Sequence, residues 1–182
     1  MDELTDVLYK IAYRLRSYHV PVIASVNGHA AGAGMNLALS CDMIIASENA
    51  LFTQSFSRLA LIPGFGGTHL LARQLPWQKA CEIAFLAERL TAAEMFGLGL
   101  VNRVVPAGEL DQTVFDLAER LANGPTLSYA RTKKLYLESM DSSFKKHLKN
   151  ERKVQVESAR TKDYEIGVKA LAEKGEPRFI GE

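Results

Sequence analysis

Two glycine-punctuated stretches are spaced so that they could do chemistry. The first is Pro21-Val22-Ile23-Ala24-Ser25-Val26-Asn27-Gly28-His29-Ala30-Ala31-Gly32-Ala33-Gly34-Met35-Asn36-Leu37, a β-branched run that passes through a Gly/Ala loop into a helix. Small residues let the backbone approach a ligand, and glycine takes φ > 0 without penalty. The helix start then presents unpaired N–H groups and the positive end of its dipole. Such a site suits an anion, either a phosphate or the oxyanion formed when a carbonyl is enolised. Tight helix–strand packing asks for the same small residues, and spacing alone does not separate the two readings. The spacing is neither Gly-x-Gly-x-x-Gly nor Gly-Lys-Ser/Thr, so nucleotide binding gains no support. The second stretch, Leu61-Ile62-Pro63-Gly64-Phe65-Gly66-Gly67-Thr68, also lies between an apolar run and a helix. The two loops could flank one pocket, or be ordinary tight turns.

The elements that must position these loops follow from periodicity. Leu4, Val7, Leu8, Ile11 and Leu15 fall on one face of a helix over 3–17. Val22–Val26 reads as a buried strand, Ala33–Ser40 as a helix, Met43–Ala46 as the next strand and Ala50–Thr53 as another. Thr68–Leu75 and Lys79–Glu88 read as helices. Thr91 with Glu94 forms a capping box, so a helix starts at Ala92; Gly97 and Gly99 stop it before a strand over Val101–Val105. Helices follow over Glu109–Ala122, Thr126–Ser139, Phe144–Arg160 and Tyr164–Glu173. Short strands alternating with helices give an α/β class.

Composition fits that frame. The 182 residues are 47% hydrophobic and 24% charged, with 22 basic against 21 acidic side chains, which excludes wholesale disorder and any strong field for nucleic acid or anionic membrane. Between Val20 and Leu70 only Asp42, Glu48 and Arg58 carry charge, so this half reads as a core covered on both faces. From Arg131 onward 13 basic and nine acidic residues mark helices with wet surfaces. Two cysteines, Cys41 and Cys81, build no disulfide framework and fit a reducing cytoplasm. No apolar stretch reaches the ~20 residues of a membrane span, and the acidic start at Asp2, Glu3 and Asp6 is unlike a signal peptide.

The ordered motifs Pro21–Gly28, Gly32-Ala33-Gly34, Cys41-Asp42, Ile62-Pro63-Gly64 with Gly66-Gly67-Thr68, Leu90-Thr91-Ala92 with Glu94, and Gly99-Leu100-Val101 resemble the enoyl-CoA hydratase/isomerase (crotonase) superfamily. Gln54–Leu59 and Ser128–Lys133 are nearest in pattern to the ring-opening isomerases of phenylacetyl-CoA catabolism. The resemblance implies a spiral of ββα units over 1–122 and a helical trimerisation region over 123–182. It implies an acyl-CoA thioester as substrate, no cofactor, and a homotrimer or hexamer. It assigns the backbone N–H of Ala33 as an oxyanion donor, and Gly32, Gly34, Pro63, Gly66, Gly67 and Lys174 to substrate binding. The family's Arg after that Lys is Gly175 here. Further strands ahead of residue 1 are also implied, including the loop that carries the second oxyanion donor. Without that donor, transition-state stabilisation falls by ~3 kcal/mol, and a sheet without those strands leaves an edge unpaired.

At the family's acid/base positions stand Asn36, Phe56 and Gly64. An amide takes up no proton at neutral pH and a phenyl ring activates no water, so hydration by paired carboxylates is not expected. Asp42 reads as part of a structural Cys-Asp motif, and Glu48 as a turn residue. His29 and His69 are alternative proton carriers, against the simpler reading as solvated or packed histidines. Arg58 could meet a CoA phosphate, although a surface or ion-paired Arg explains it as well. Ser55 and Ser57 lack a His/Asp relay, and the cysteines read as buried apolar groups. The expected function is therefore isomerase-type enolate chemistry at an incomplete site. The alternative is an acyl-CoA-binding or assembly module without catalysis; RNA binding has only the basic C-terminal helices behind it.

Overall fold

The computed structural model describes residues 2–182, with side chains from Thr5 onward. Its elements form two compact units, one of residues 2–16 with Val22–Phe115 and one of Ser17–Pro21 with Asp116–Glu182.

The first unit opens with α1 (Asp2–Ser17), followed by β1 (Ile23–Val26), β2 (His29–Ala31) and α2 (Ala33–Leu39). Next come β3 (Met43–Ser47), β4 (Leu51–Thr53), a 3-10 turn over Ser55–Leu59, α3 (Gly67–Gln74) and α4 (Trp77–Leu86). β5 (Leu90–Thr91), α5 (Ala92–Gly97), β6 (Arg103–Val105), a 3-10 turn over Ala107–Glu109 and the start of α6 (Leu110–Ala122) complete it.

The strands form two small sheets, β1-β3-β6 and β2-β4-β5. β1 runs parallel to β3 with Ile23 opposite Met43, and β2 runs parallel to β4 with His29 opposite Leu51. Each sheet therefore advances by one strand when the chain repeats a β-β-α pattern, which winds the unit into a spiral. The corner from β1 to β2 is Asn27-Gly28, held by the Leu51 N–H on the Gly28 carbonyl at 3.2 Å. The equivalent corner from β3 to β4 contains Glu48, whose carboxylate accepts from the Ala107 N–H at 3.4 Å. Asp42 closes the end of β1 by accepting the Val22 N–H at 2.8 Å, a structural role as its Cys-Asp context suggested.

The core agrees with the uncharged stretch. Ile44, Ile45, Ala46 and Ser47 are all buried, the continuous run of a strand covered on both faces. Met35, Phe52 and Met95 pack against them with no exposure. On α1, by contrast, Val7 and Ile11 are exposed, Leu8 and Leu15 are half-buried and, among the described side chains, only Ala12 is buried; Leu4 of the expected apolar stripe lies outside the described side chains. Cys41 and Cys81 are free and half-buried rather than fully buried. Among the described residues β1 and β6 are the edge strands of one sheet, and β2 and β5 those of the other.

Most expected elements lie where periodicity puts them, with ends displaced by one or two residues. β2 is the main exception: three residues are too short to show alternation, and their Gly/Ala setting reads as loop. The capping box is present in both directions, with the Glu94 N–H on Thr91 Oγ1 at 3.2 Å and the Thr91 N–H on Glu94 Oε2 at 2.7 Å. The Thr91 backbone hydrogen bond holds the Glu94 carboxyl below the usual glutamate range, helped by the Thr91 hydroxyl and by Lys79.

The second unit holds the remainder of α6 with α7 (Thr126–Ser139), α8 (Phe144–Ser158) and α9 (Lys162–Glu173). α7 packs against α8, and Arg131 Nη1 donates to Ser158 Oγ at 3.0 Å. A cavity of about 390 Å³ lies among α7, α8, α9 and Phe179. The last residues are latched by Asp163, which is buried and accepts the Ile180 N–H at 2.7 Å and the Gly181 N–H at 3.1 Å. Two charge-assisted bonds to one buried carboxylate make this the strongest single anchor of the tail. Asp163→Asn, which cannot serve both amides equally well, is expected to lose about 1–3 kcal/mol. Amide hydrogen exchange would check it through faster exchange at residues 180 and 181; unchanged protection there would contradict the latch.

Candidate active site

The first glycine loop ends β2 and starts α2. Gly32 sits at φ 52°, where an L side chain would be strained. Its N–H donates to the Thr53 carbonyl at 2.7 Å, and its carbonyl accepts the Asn36 N–H at 3.1 Å. A side chain there would also meet Ser55 Oγ at 3.0 Å and the Phe56 ring at 3.5 Å. Ala33, the first helical residue, keeps its N–H among the opening donors of the helix, which have no intrahelical acceptor. Gly34 follows with nothing within 4 Å of where a Cβ would stand.

The second loop is held by backbone geometry and by one buried amide. Phe65 is at φ 56° and Gly66 at φ 77°; burial of the phenyl ring offsets the strain at Phe65. The Gly67 N–H closes on the Gly64 carbonyl at 3.0 Å, and α3 starts there. Asn36, fully buried on α2, donates from Nδ2 to the same Gly64 carbonyl at 2.7 Å. Its Oδ1 accepts Gln54 Nε2 at 2.5 Å, and Gln54 is fully buried as well. The orientation of both amides is determined: a backbone carbonyl only accepts, so Nδ2 faces Gly64 and Oδ1 must receive the Gln54 amide. Gly67 lies against this pair, and a Cβ there would fall 2.6 Å from Asn36 Cγ and 2.8 Å from Oδ1.

Phe56 lies between the two loops. Its Cε2 and Cζ come within 3.5 and 3.6 Å of a Cβ built at Gly32, and its Cε1 within 3.7 Å of one built at Gly64. The Tyr9 hydroxyl on α1 is 3.8 Å from that Gly64 position. Gly32, Gly64, Asn36 and Phe56 are thus brought together, with Ala33 beside Gly32 and Pro63 beside Gly64. Asn36 is consumed by internal hydrogen bonds, and Phe56 is a hydrocarbon wall.

The other candidates make contacts of their own. His29 is exposed on β2, its Nε2 3.1 Å from Thr53 Oγ1. His69 is exposed on α3, its Nδ1 3.3 Å from Arg73 Nη1. Arg58 donates from Nη2 to the Ala87 carbonyl at 2.5 Å, a structural tie across the end of α4 rather than a free surface cation. Lys174 belongs to the second unit, where it ends α9 at φ 54° with its side chain exposed. Among the described residues no three His, Cys, Asp or Glu side chains converge as a metal site, and no helix is long and apolar enough to cross a membrane. Gln54 enters the sequence reading only as the first residue of the Gln54–Leu59 stretch, with no role of its own, and Tyr9 does not enter it.

Comparison with known proteins follows from this geometry. The sequence model of the family described as enoyl-CoA hydratase/isomerase matches residues 2–182. A protein named "Probable enoyl-CoA hydratase" from Rhodobacter capsulatus is 38% identical over 162 residues, covering 89% of this chain and 63% of the relative. The 1,2-epoxyphenylacetyl-CoA isomerase of Escherichia coli is 38% identical over 168 residues, covering 92% of this chain and 64% of the relative. The crystal structure of an enoyl-CoA hydratase from Bacillus anthracis superposes with a TM-score of 0.94 at 30% identity, covering 100% of this chain and 70% of that one. The chain spans 57–64% of the length of three curated relatives it matches.

The buried amide pair makes Gly67 and Gly34 opposites. Gly67→Ala must displace a side chain fixed by hydrogen bonds and is expected to lose about 2–3 kcal/mol. Gly34→Ala enters open space inside a helix and is expected to gain up to about 1 kcal/mol. Urea denaturation of both variants checks the contrast; equal stabilities would contradict the clamp.

Proposed function

The chain belongs to the enoyl-CoA hydratase/isomerase family, and from that membership we propose that it binds an acyl-CoA thioester and carries out isomerase-type enolate chemistry rather than hydration. The thioester carbonyl lies at the Gly32–Gly34 loop with the Ala33 N–H as an oxyanion donor. Gly66 and Gly67 line the opposite side, and Lys174 serves the CoA moiety. Coenzyme A enters as part of the substrate, and no further cofactor takes part.

The observation that carries this reading is the state of Asn36. An acid/base group must hand a proton to substrate, but this amide is fully buried and committed to Gly64 and Gln54. With Phe56 at the second position, neither half of a carboxylate pair is in place to activate water. What remains is electrostatic: backbone N–H groups aimed at a developing oxyanion, a type of contribution worth about 3 kcal/mol per donor. Polarisation of this kind acidifies the carbon next to the thioester, so that water takes that proton and a proton from water returns at the far end of the enolate, the exchange that double-bond isomerisation requires.

The same observation favours a second reading, an acyl-CoA-binding module without turnover, since Asn36, Phe56 and Gly64 offer no base at neutral pH. A homotrimer or hexamer built through the helical unit forms part of the proposal. The apolar side chains Tyr164, Val168 and Leu171, exposed along one face of α9, support such self-association.

Parallel assays with crotonyl-CoA and cis-3-enoyl-CoA test the proposal. The expected result is conversion of the 3-enoyl thioester to its conjugated isomer with hydration at least a hundred-fold slower. Binding of both thioesters without turnover selects the second reading, and hydration as fast as isomerisation contradicts the role given to Asn36.

A further inference from the structure

Besides the buried Asn36 amide, a half-exposed phenol from α1 stands over the second loop. Tyr9 projects from α1 so that its hydroxyl oxygen stands 3.8 Å from the position of a Gly64 Cβ, beside the 3.7 Å approach of the Phe56 ring edge. The phenol is 46% exposed, so its hydroxyl is neither packed away nor free of the loop surface. Beside it the Phe56 ring closes the side toward Gly32, and the loop carries exposed Leu61 and Ile62 immediately before Pro63. Gly64 itself keeps the space open, since any side chain there would touch both the hydroxyl and the ring. Among the described residues the Tyr9 hydroxyl is party to no hydrogen bond.

A lone hydroxyl over an apolar floor is a selective device. It adds nothing for a plain hydrocarbon chain and is desolvated without return when one covers it. An acyl group with an oxygen in reach restores the lost bond, and sites built around such a contact discriminate between ligands that differ only in that oxygen.

We propose that Tyr9 is a specificity-determining residue whose hydroxyl donates a hydrogen bond to an oxygen on the acyl group, so that the cleft prefers hydroxy- or oxo-acyl thioesters to unsubstituted ones. This rests on the acyl-CoA reading of the Gly32 and Gly64 loops. Phe56 and Leu61 hold the carbon skeleton, and Gly64 leaves room for the oxygen between skeleton and phenol. The hydroxyl stays protonated and transfers nothing; its role is recognition.

Calorimetric titration of the wild-type chain and Tyr9→Phe with butanoyl-CoA and 3-hydroxybutanoyl-CoA tests it. The wild type is expected to bind the hydroxy thioester about five- to ten-fold more tightly. Tyr9→Phe, which removes one oxygen from a half-exposed side chain, is expected to abolish that preference by weakening the hydroxy thioester alone. Equal affinity of the wild type for both thioesters overturns the assignment of Tyr9 and leaves acyl-CoA binding standing. Equal weakening of both by Tyr9→Phe also overturns it, because a packing role acts on both ligands. Failure of the wild type to bind either thioester overturns the parent reading and this inference with it.

Discussion

A pair of fully buried amides, Asn36 and Gln54, holds the centre of the spiral unit together. Asn36 comes from α2, Gln54 from the end of β4, and the Gly64 carbonyl that Asn36 grips comes from the loop leading into α3. Three consecutive parts of the winding therefore meet at one side chain. A buried amide has no neutral fallback: each donor or acceptor left unpaired costs about 1–3 kcal/mol. That asymmetry makes the geometry all-or-none. It also explains why Gly67 must be glycine although its backbone is helical, since the amide occupies the space a methyl would need.

The clamp has a chemical consequence. A carboxylate at the same position would carry charge and could exchange a proton; the amide carries neither and is locked on both of its polar atoms. The side chain at position 36 is a strut. Phe56 fills the space between the two glycine loops with hydrocarbon. The backbone at Gly32–Gly34 is left as the polar surface of the first loop, where φ of 52° at Gly32 turns the chain from β2 into α2.

How far the sequence reveals all this depends on the range of the interactions. The capping box at Thr91 and Glu94 is local, four residues long, and was legible in full. The parallel strand Met43–Ser47 was legible because burial on both faces leaves an uninterrupted apolar run. β2 was not, because three residues show no period and its partner lies twenty residues away. The paired role of Asn36 and Gln54 was equally hidden: the resemblance implies an acid/base position at Asn36, but hydrogen bonds across 18 and 28 positions have no sequence signature. Arg58 illustrates the same limit, since its partner is a backbone carbonyl at Ala87. Tyr9 marks the extreme, a residue on an ordinary amphipathic helix whose significance arises only where it stands.

Proton exchange at the carbon next to the thioester measures the central claim without depending on which acyl isomer is the natural substrate. The chain is incubated with butanoyl-CoA in heavy water and the thioester is followed by mass spectrometry. Carbonyl polarisation at the Gly32–Gly34 loop predicts deuterium incorporation at that carbon well above the rate in buffer. Saturable binding of butanoyl-CoA with incorporation no faster than buffer would contradict it.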